Sequence, residues 1–138
     1  MKLQKKIARG KNAAVFALTG DLGAGKTTFV QGFFKGLGFK KRSQSPTFII
    51  MRRRSMPRPL ARSPRRAAFS DVFHVDAYRL KSAAHLAALD FEDVLASPRN
   101  IVLIEWADRV KKILPKNTVW LKFRHGKREN ERYIIMKR

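Results

Sequence analysis

The sequence contains no cysteine, only three histidines (His74, His85 and His125) and only 10 acidic residues among 138. The missing thiols exclude a disulfide framework, a thiolate zinc site and a cysteine nucleophile. Three histidines so far apart in sequence also speak against a zinc centre. No apolar run approaches the roughly 20 residues needed to cross a bilayer, and the basic N-terminus passes into short amphipathic segments without a signal-peptide core. The expectation is a soluble, cytoplasmic protein with no stable membrane association. With 138 residues, 44% of them hydrophobic, the chain is too short for two ordinary domains and too apolar for a disordered one. A single domain over 1–138 is expected.

What is abundant is positive charge: 31 basic residues give a formal net charge of +21. The distribution is uneven. Residues 21–70 carry 12 basic groups against Asp21 alone, whereas residues 71–108 carry 3 against 7 acids. Such a chain attracts polyanions, with RNA, DNA and anionic lipid all candidates, but net charge names no partner and a solvated basic surface fits it equally.

Short apolar runs set the organisation. Ala13 to Leu18, followed by Thr19-Gly20, reads as a strand buried on both faces. Phe29, Val30, Phe33, Phe34 and Leu37 then recur on one helical face, with a stop near Gly36 to Gly38. Thr47 to Met51 and Phe69 to Ala77 are β-prone and could pair as a hairpin. Between them Arg52 to Arg66, with seven arginines and three prolines, reads as a mobile, extended loop. Ser82 to Leu89 and Phe91 to Leu95 suit short helices, Ile101 to Ile104 a second buried strand, and Ala107 to Leu114 a short helix stopped by Pro115. Thr118 to Phe123 and Arg132 to Met136 read as a closing strand pair.

The strongest chemical signal is Gly20-Asp21-Leu22-Gly23-Ala24-Gly25-Lys26-Thr27, a full match to G-x-x-x-x-G-K-[ST] lying between the expected strand and helix. Glycines admit a phosphate closely and let successive amides point inward, while the helix N-terminus adds partial positive charge. Lys26 is positioned to reach β- and γ-phosphates, and the Thr27 hydroxyl to ligate Mg²⁺; Thr28 completes the candidate nucleotide-binding set. Such a loop needs a second carboxylate directed at Mg²⁺, and Glu105, at the end of the Ile101–Ile104 run, fits. Trp106 then either packs in the core or walls the nucleotide site.

Two further segments are weaker signals. His74, Asp76 and Tyr78 would share one strand face, with Asp76 free to hold Mg²⁺ through water or to orient the attacking water; a solvated edge strand is the plainer alternative. Arg79 could pair with phosphate or with a nearby acid. Ser45-Pro46-Thr47-Phe48 is a turn entering a strand, and Thr47 beside a γ-phosphate would act as a switch residue.

Together GDLGAGKT at 20–27, SPTF at 45–48, HVDAYR at 74–79 and LIEWADR at 103–109 resemble, in order and spacing, the TsaE (formerly YjeE) family over roughly residues 13–136. The resemblance implies a P-loop ATPase of bacterial threonylcarbamoyladenosine (A37) biosynthesis in tRNA, working with the TsaD and TsaB proteins. It implies Lys26 and Thr27 on phosphate and Mg²⁺, Glu105 on Mg²⁺, Thr47 and Asp76 in a switch-like catalytic region, and Trp106 beside ATP. The family usually places a strand and a helix before the P-loop strand, where this chain has only Met1 to Arg9. It commonly has Thr where Gln44 stands, and an acidic or aromatic connection in place of the basic run at 52–66. The expected fold is a three-layer α/β P-loop NTPase-like architecture with a mainly parallel central sheet and antiparallel edge strands. The expected activity is partner-stimulated hydrolysis of ATP to ADP and phosphate, with tRNA contact through the basic surface left open. Two alternatives stand beside it: a non-enzymatic basic RNA-binding module and a small-molecule kinase.

Overall fold

In the computed structural model, residues 10–41, 50–57, 69–80 and 83–138 are described. The apolar run after Asn12 forms β1 (Ala14–Gly20), and the glycine loop leads directly into α1 (Lys26–Gly36). Then come β2 (Met51–Ser55), β3 (Asp71–Asp76), a 3-10 turn (Ala77–Arg79), α2 (Ala83–Ala87), α3 (Phe91–Ala96) and β4 (Asn100–Glu105). A 3-10 segment (Ala107–Ile113), β5 (Val119–His125) and β6 (Arg132–Lys137) complete the order.

The six strands form one sheet in the order β2-β3-β4-β1-β5-β6. β3, β4, β1 and β5 run parallel, and β2 and β6 close the two edges antiparallel. Alternate strand residues point to opposite faces. Phe16 and Leu18 of β1, Ile101 and Leu103 of β4, and Leu121 and Phe123 of β5 share one core with Val30 and Phe34 of α1. Val15 and Ala17, Val102 and Ile104, and Phe73 and Val75 face the other way, onto Leu86, Phe91, Val94, Leu95 and Val110. Helices on both faces of a mainly parallel sheet give the expected three layers. Burying each large apolar side chain stabilises by roughly 1.5–3 kcal/mol relative to exposure.

Parallel pairing also decides where chemistry collects. The C-terminal ends of β1, β3 and β4 lie along one border of the sheet, with Leu18 opposite Glu105 and Glu105 opposite Asp76. Open α/β sheets bind ligands at that border.

Several expectations are corrected. The strand continues past the expected end at Met51, running over Met51–Ser55, and residues 47–49 lie outside the described residues. The arginine run is therefore not a loop at its start; residues 58–68 also lie outside the described set. The strand tolerates three consecutive arginines because it is an edge and two of the three charges have partners, while the Arg52 Nε is buried without a hydrogen-bond partner among the described residues. Arg53 binds Asp71 with two hydrogen bonds of 3.0 and 3.2 Å, while the Arg54 guanidinium lies over the rings of Phe39 (4.3 Å) and Phe34 (5.2 Å). β3 is not a solvated edge strand either: β2 and β4 flank it and His74 is buried. Tyr78 does not continue its face, because the Asp76 carboxylate accepts the Tyr78 amide at 3.0 Å and caps the 3-10 turn. The hairpin pairing of β2 with β3, the two buried strands β1 and β4, and the closing pair of β5 with β6 appear as expected. The N-terminal departure at 1–9 and the Gln44 position fall outside the described residues.

Candidate active site

The loop from Gly20 to Gly25 is shaped by backbone conformations that side chains oppose. Gly20 has φ +132°, and a Cβ there would collide with the Phe123 carbonyl oxygen of the neighbouring strand. Gly25, at φ +103°, sits at the N-cap of α1 and offers no side-chain cap. The first-turn amides of α1 are thus left without a capping side chain, as suits an anion site.

Lys26 opens that helix and is only 5% exposed. A buried cation at the positive end of a helix is disfavoured unless other groups compensate. Three do so. Its ammonium donates to the carbonyl oxygens of Gly20 (2.5 Å) and Asp21 (2.8 Å), and lies 4.1 Å from the Trp106 ring centroid. Burial holds the Lys26 pKa below the usual lysine value, while Glu105, then Asp21 and Asp108, pull it back up.

Glu105 ends β4 and is itself buried. Its Oε1 accepts the Thr27 hydroxyl at 3.2 Å and its Oε2 takes His74 Nε2 at 2.6 Å. The next residue, Trp106, adopts the left-handed conformation (φ 58°), uncommon for a bulky side chain. That turn brings the indole against both Lys26 and Tyr78, the Tyr78 and Trp106 ring centroids lying 5.0 Å apart, and Arg109 lies 5.1 Å from the Tyr78 ring. A cavity of about 160 Å³ opens among Leu22, Gly25, Lys26, Thr27, Glu105 and Trp106. A cleft of about 710 Å³ lies further along α1, against Gln31, Lys35 and Phe39, but neither Lys26 nor Glu105 lines it. The chemistry therefore belongs to the smaller space.

Of the expected site residues, Leu22, Gly23, Gly25, Lys26, Thr27 and Thr28 line this cavity with Glu105 and Trp106, whereas Gly20, Asp21 and Ala24 do not; Gly20 and Asp21 act through their carbonyls on Lys26, and Asp76 stands one strand over from Glu105. Arg79 is exposed in the 3-10 turn, and Thr47 lies outside the described residues. Sequence reasoning put His74 on a polar face but missed its bond to Glu105. Setting β3 beside β4 in parallel, with both runs ending in an acid, would have found it.

The chain matches the family described as "Threonylcarbamoyl adenosine biosynthesis protein TsaE" over residues 1–134. It is 33% identical over 109 residues to the tRNA threonylcarbamoyladenosine biosynthesis protein TsaE of Bacillus subtilis, covering 79% of this chain and 60% of that protein. For the TsaE of Treponema pallidum the identity is 35% over 121 residues, covering 83% and 75%. The crystal structure of Bacillus subtilis YdiB superposes with a TM-score of 0.64 at 27% identity, over 96% of this chain and 76% of that one. The chain spans about 60% of the length of the B. subtilis and Haemophilus influenzae relatives. Carrying the glycine loop and its strand-end carboxylate on this sheet, and matched along nearly its whole length, the chain belongs to the TsaE family.

Proposed function

We propose that the protein is a P-loop ATPase serving threonylcarbamoyladenosine biosynthesis in tRNA, hydrolysing ATP to ADP and phosphate in the cytoplasm and acting on a TsaD–TsaB complex. The observation that carries the ATPase reading is the Thr27–Glu105 hydrogen bond, which joins residues 78 apart in sequence beside the buried ammonium of Lys26. Family membership supplies the pathway.

The donor set fits Mg²⁺, which takes a hydroxyl or one or two carboxylates and leaves its other positions to phosphate and water. Thr27 and Glu105 would hold it, and when bound it offsets charge on the β- and γ-phosphate oxygens. The chain's own contribution is positioning and charge. Loop and first-turn amides receive phosphate oxygens, and Lys26 exchanges its two carbonyl partners for them. Asp76 has one oxygen engaged by the Tyr78 amide and uses the other to orient the attacking water. Thr47 keeps its expected role as a switch residue near the γ-phosphate.

Mg²⁺-dependent phosphate release, measured with and without TsaD and TsaB, tests this reading. Turnover stimulated by the partners and lost in Lys26→Ala, with nucleotide affinity reduced at least about 10-fold, is the expected result. A folded protein with no turnover in active partner mixtures would overturn it. The net charge of +21 favours the RNA-binding alternative, which requires salt-sensitive RNA affinity indifferent to ATP. A kinase would instead pass the phosphoryl group to an acceptor other than water.

A further inference from the structure

His74 is 1% exposed in the middle of β3, where a leucine would pack as well as its register neighbour Leu103 does. Its ring lies 6.2 Å from that of Phe34, between centroids, and Arg52 is its partner on β2. Burying an imidazole in such surroundings costs free energy unless its nitrogens are satisfied. One of them is: Nε2 lies 2.6 Å from Glu105 Oε2. Nδ1 is buried and has no hydrogen-bond partner among the described residues.

A carboxylate oxygen accepts, so His74 Nε2 donates to Glu105 Oε2 across that 2.6 Å. The imidazole therefore acts as a tether. It ties down Oε2 of Glu105 and turns the other oxygen, Oε1, toward the Thr27 hydroxyl at 3.2 Å. A free glutamate at the end of a strand would spread over several rotamers, and most of them would point its carboxylate away from Thr27.

We propose that His74 is a positioning residue that orients Glu105 for the divalent cation accompanying the nucleotide, touching neither ligand itself. This inference rests on the P-loop ATPase reading. Outer-shell partners of metal-ligating groups typically account for roughly 10- to 100-fold in metal affinity. The rival account makes His74 a core residue whose nitrogen happened to find an acceptor. The two accounts differ in what depends on Mg²⁺.

The test is calorimetric binding of ADP to the full chain, with Mg²⁺ and with EDTA, for the wild type, His74→Leu and His74→Gln. Leucine fills the space without a donor, and glutamine returns an N–H near the Nε2 position. In His74→Leu the gain in ADP affinity contributed by Mg²⁺ is expected to fall roughly 10- to 100-fold, with metal-free ADP affinity within about twofold of wild type. His74→Gln is expected to recover most of the gain. If His74→Leu does not fold, His74→Asn replaces it, since its shorter amide stops short of Glu105. An unchanged Mg²⁺ gain in a folded variant lacking the donor overturns the inference while leaving the ATPase reading intact. Equal losses with and without Mg²⁺, or a glutamine variant no better than leucine, also overturn it. A wild-type protein that binds ADP no better with Mg²⁺ than without it overturns the inference, whereas failure of the underlying reading is seen separately, as absent phosphate release with active partners.

Discussion

Strands β4 and β6 are nearly the same sentence written twice: Asn-Ile-Val-Leu-Ile-Glu and Arg-Tyr-Ile-Ile-Met-Lys, four large apolar residues between polar ends. In β4 every residue is buried, and in β6 every residue is exposed. Both belong to one sheet. The difference is place, since β4 lies between β3 and β1 with layers on both faces, whereas among the described residues β6 pairs only with β5 at the border. Apolar pattern marks a strand, but the sheet order decides whether its side chains stabilise a core. The polar ends diverge likewise: Glu105 is drawn into a site, and Lys137 stays in water.

Substitutions that exchange the roles of the two strands test this contrast. The largest effect belongs to Leu103→Ala, which empties a fully buried position on β4. A loss of about 2–5 kcal/mol is expected, seen as a melting temperature lower by roughly 10 °C or more. Glu105→Gln comes next and acts on function: it keeps the shape of the strand end but weakens the hold on a cation, so Mg²⁺-dependent turnover should fall at least about 10-fold in a phosphate-release assay. Smallest is Ile134→Thr on β6, a residue 49% exposed. Its melting temperature should stay within about 2 °C of wild type, and light scattering at high concentration should show less self-association, because an open apolar edge invites pairing. A drop comparable to that of Leu103→Ala would mean that β6 is covered in solution.

Much of this was legible beforehand. β1 and β4 announce themselves as unbroken apolar runs stopped by Gly20 and Glu105, and the glycine loop between β1 and α1 carries its own chemistry. Glu105 was found because a strand end beside a P-loop is where a carboxylate is needed. The rest depended on contacts distant in sequence. Three arginines in a row look like a solvated loop until Asp71 supplies a partner for Arg53 and the rings of Phe34 and Phe39 supply one for Arg54. Tyr78 looked like a strand residue because alternation continues through Ala77, but the Asp76 cap ends the extended run first. His74 was visible as a polar face; its acceptor was hidden because chain order does not say which strand lies beside β3.

The stacking of Lys26 against Trp106 carries an optical consequence. Trp106 and Trp120 are the two indoles of the chain, and one of them holds an ammonium 4.1 Å from its ring. Any anion that draws Lys26 toward itself removes that charge from the Trp106 face and changes the emission of a single fluorophore. In a Trp120→Phe background, the intensity and wavelength of that one emitter become a direct, label-free readout of whether the loop is holding its own lysine or has surrendered it to a phosphate.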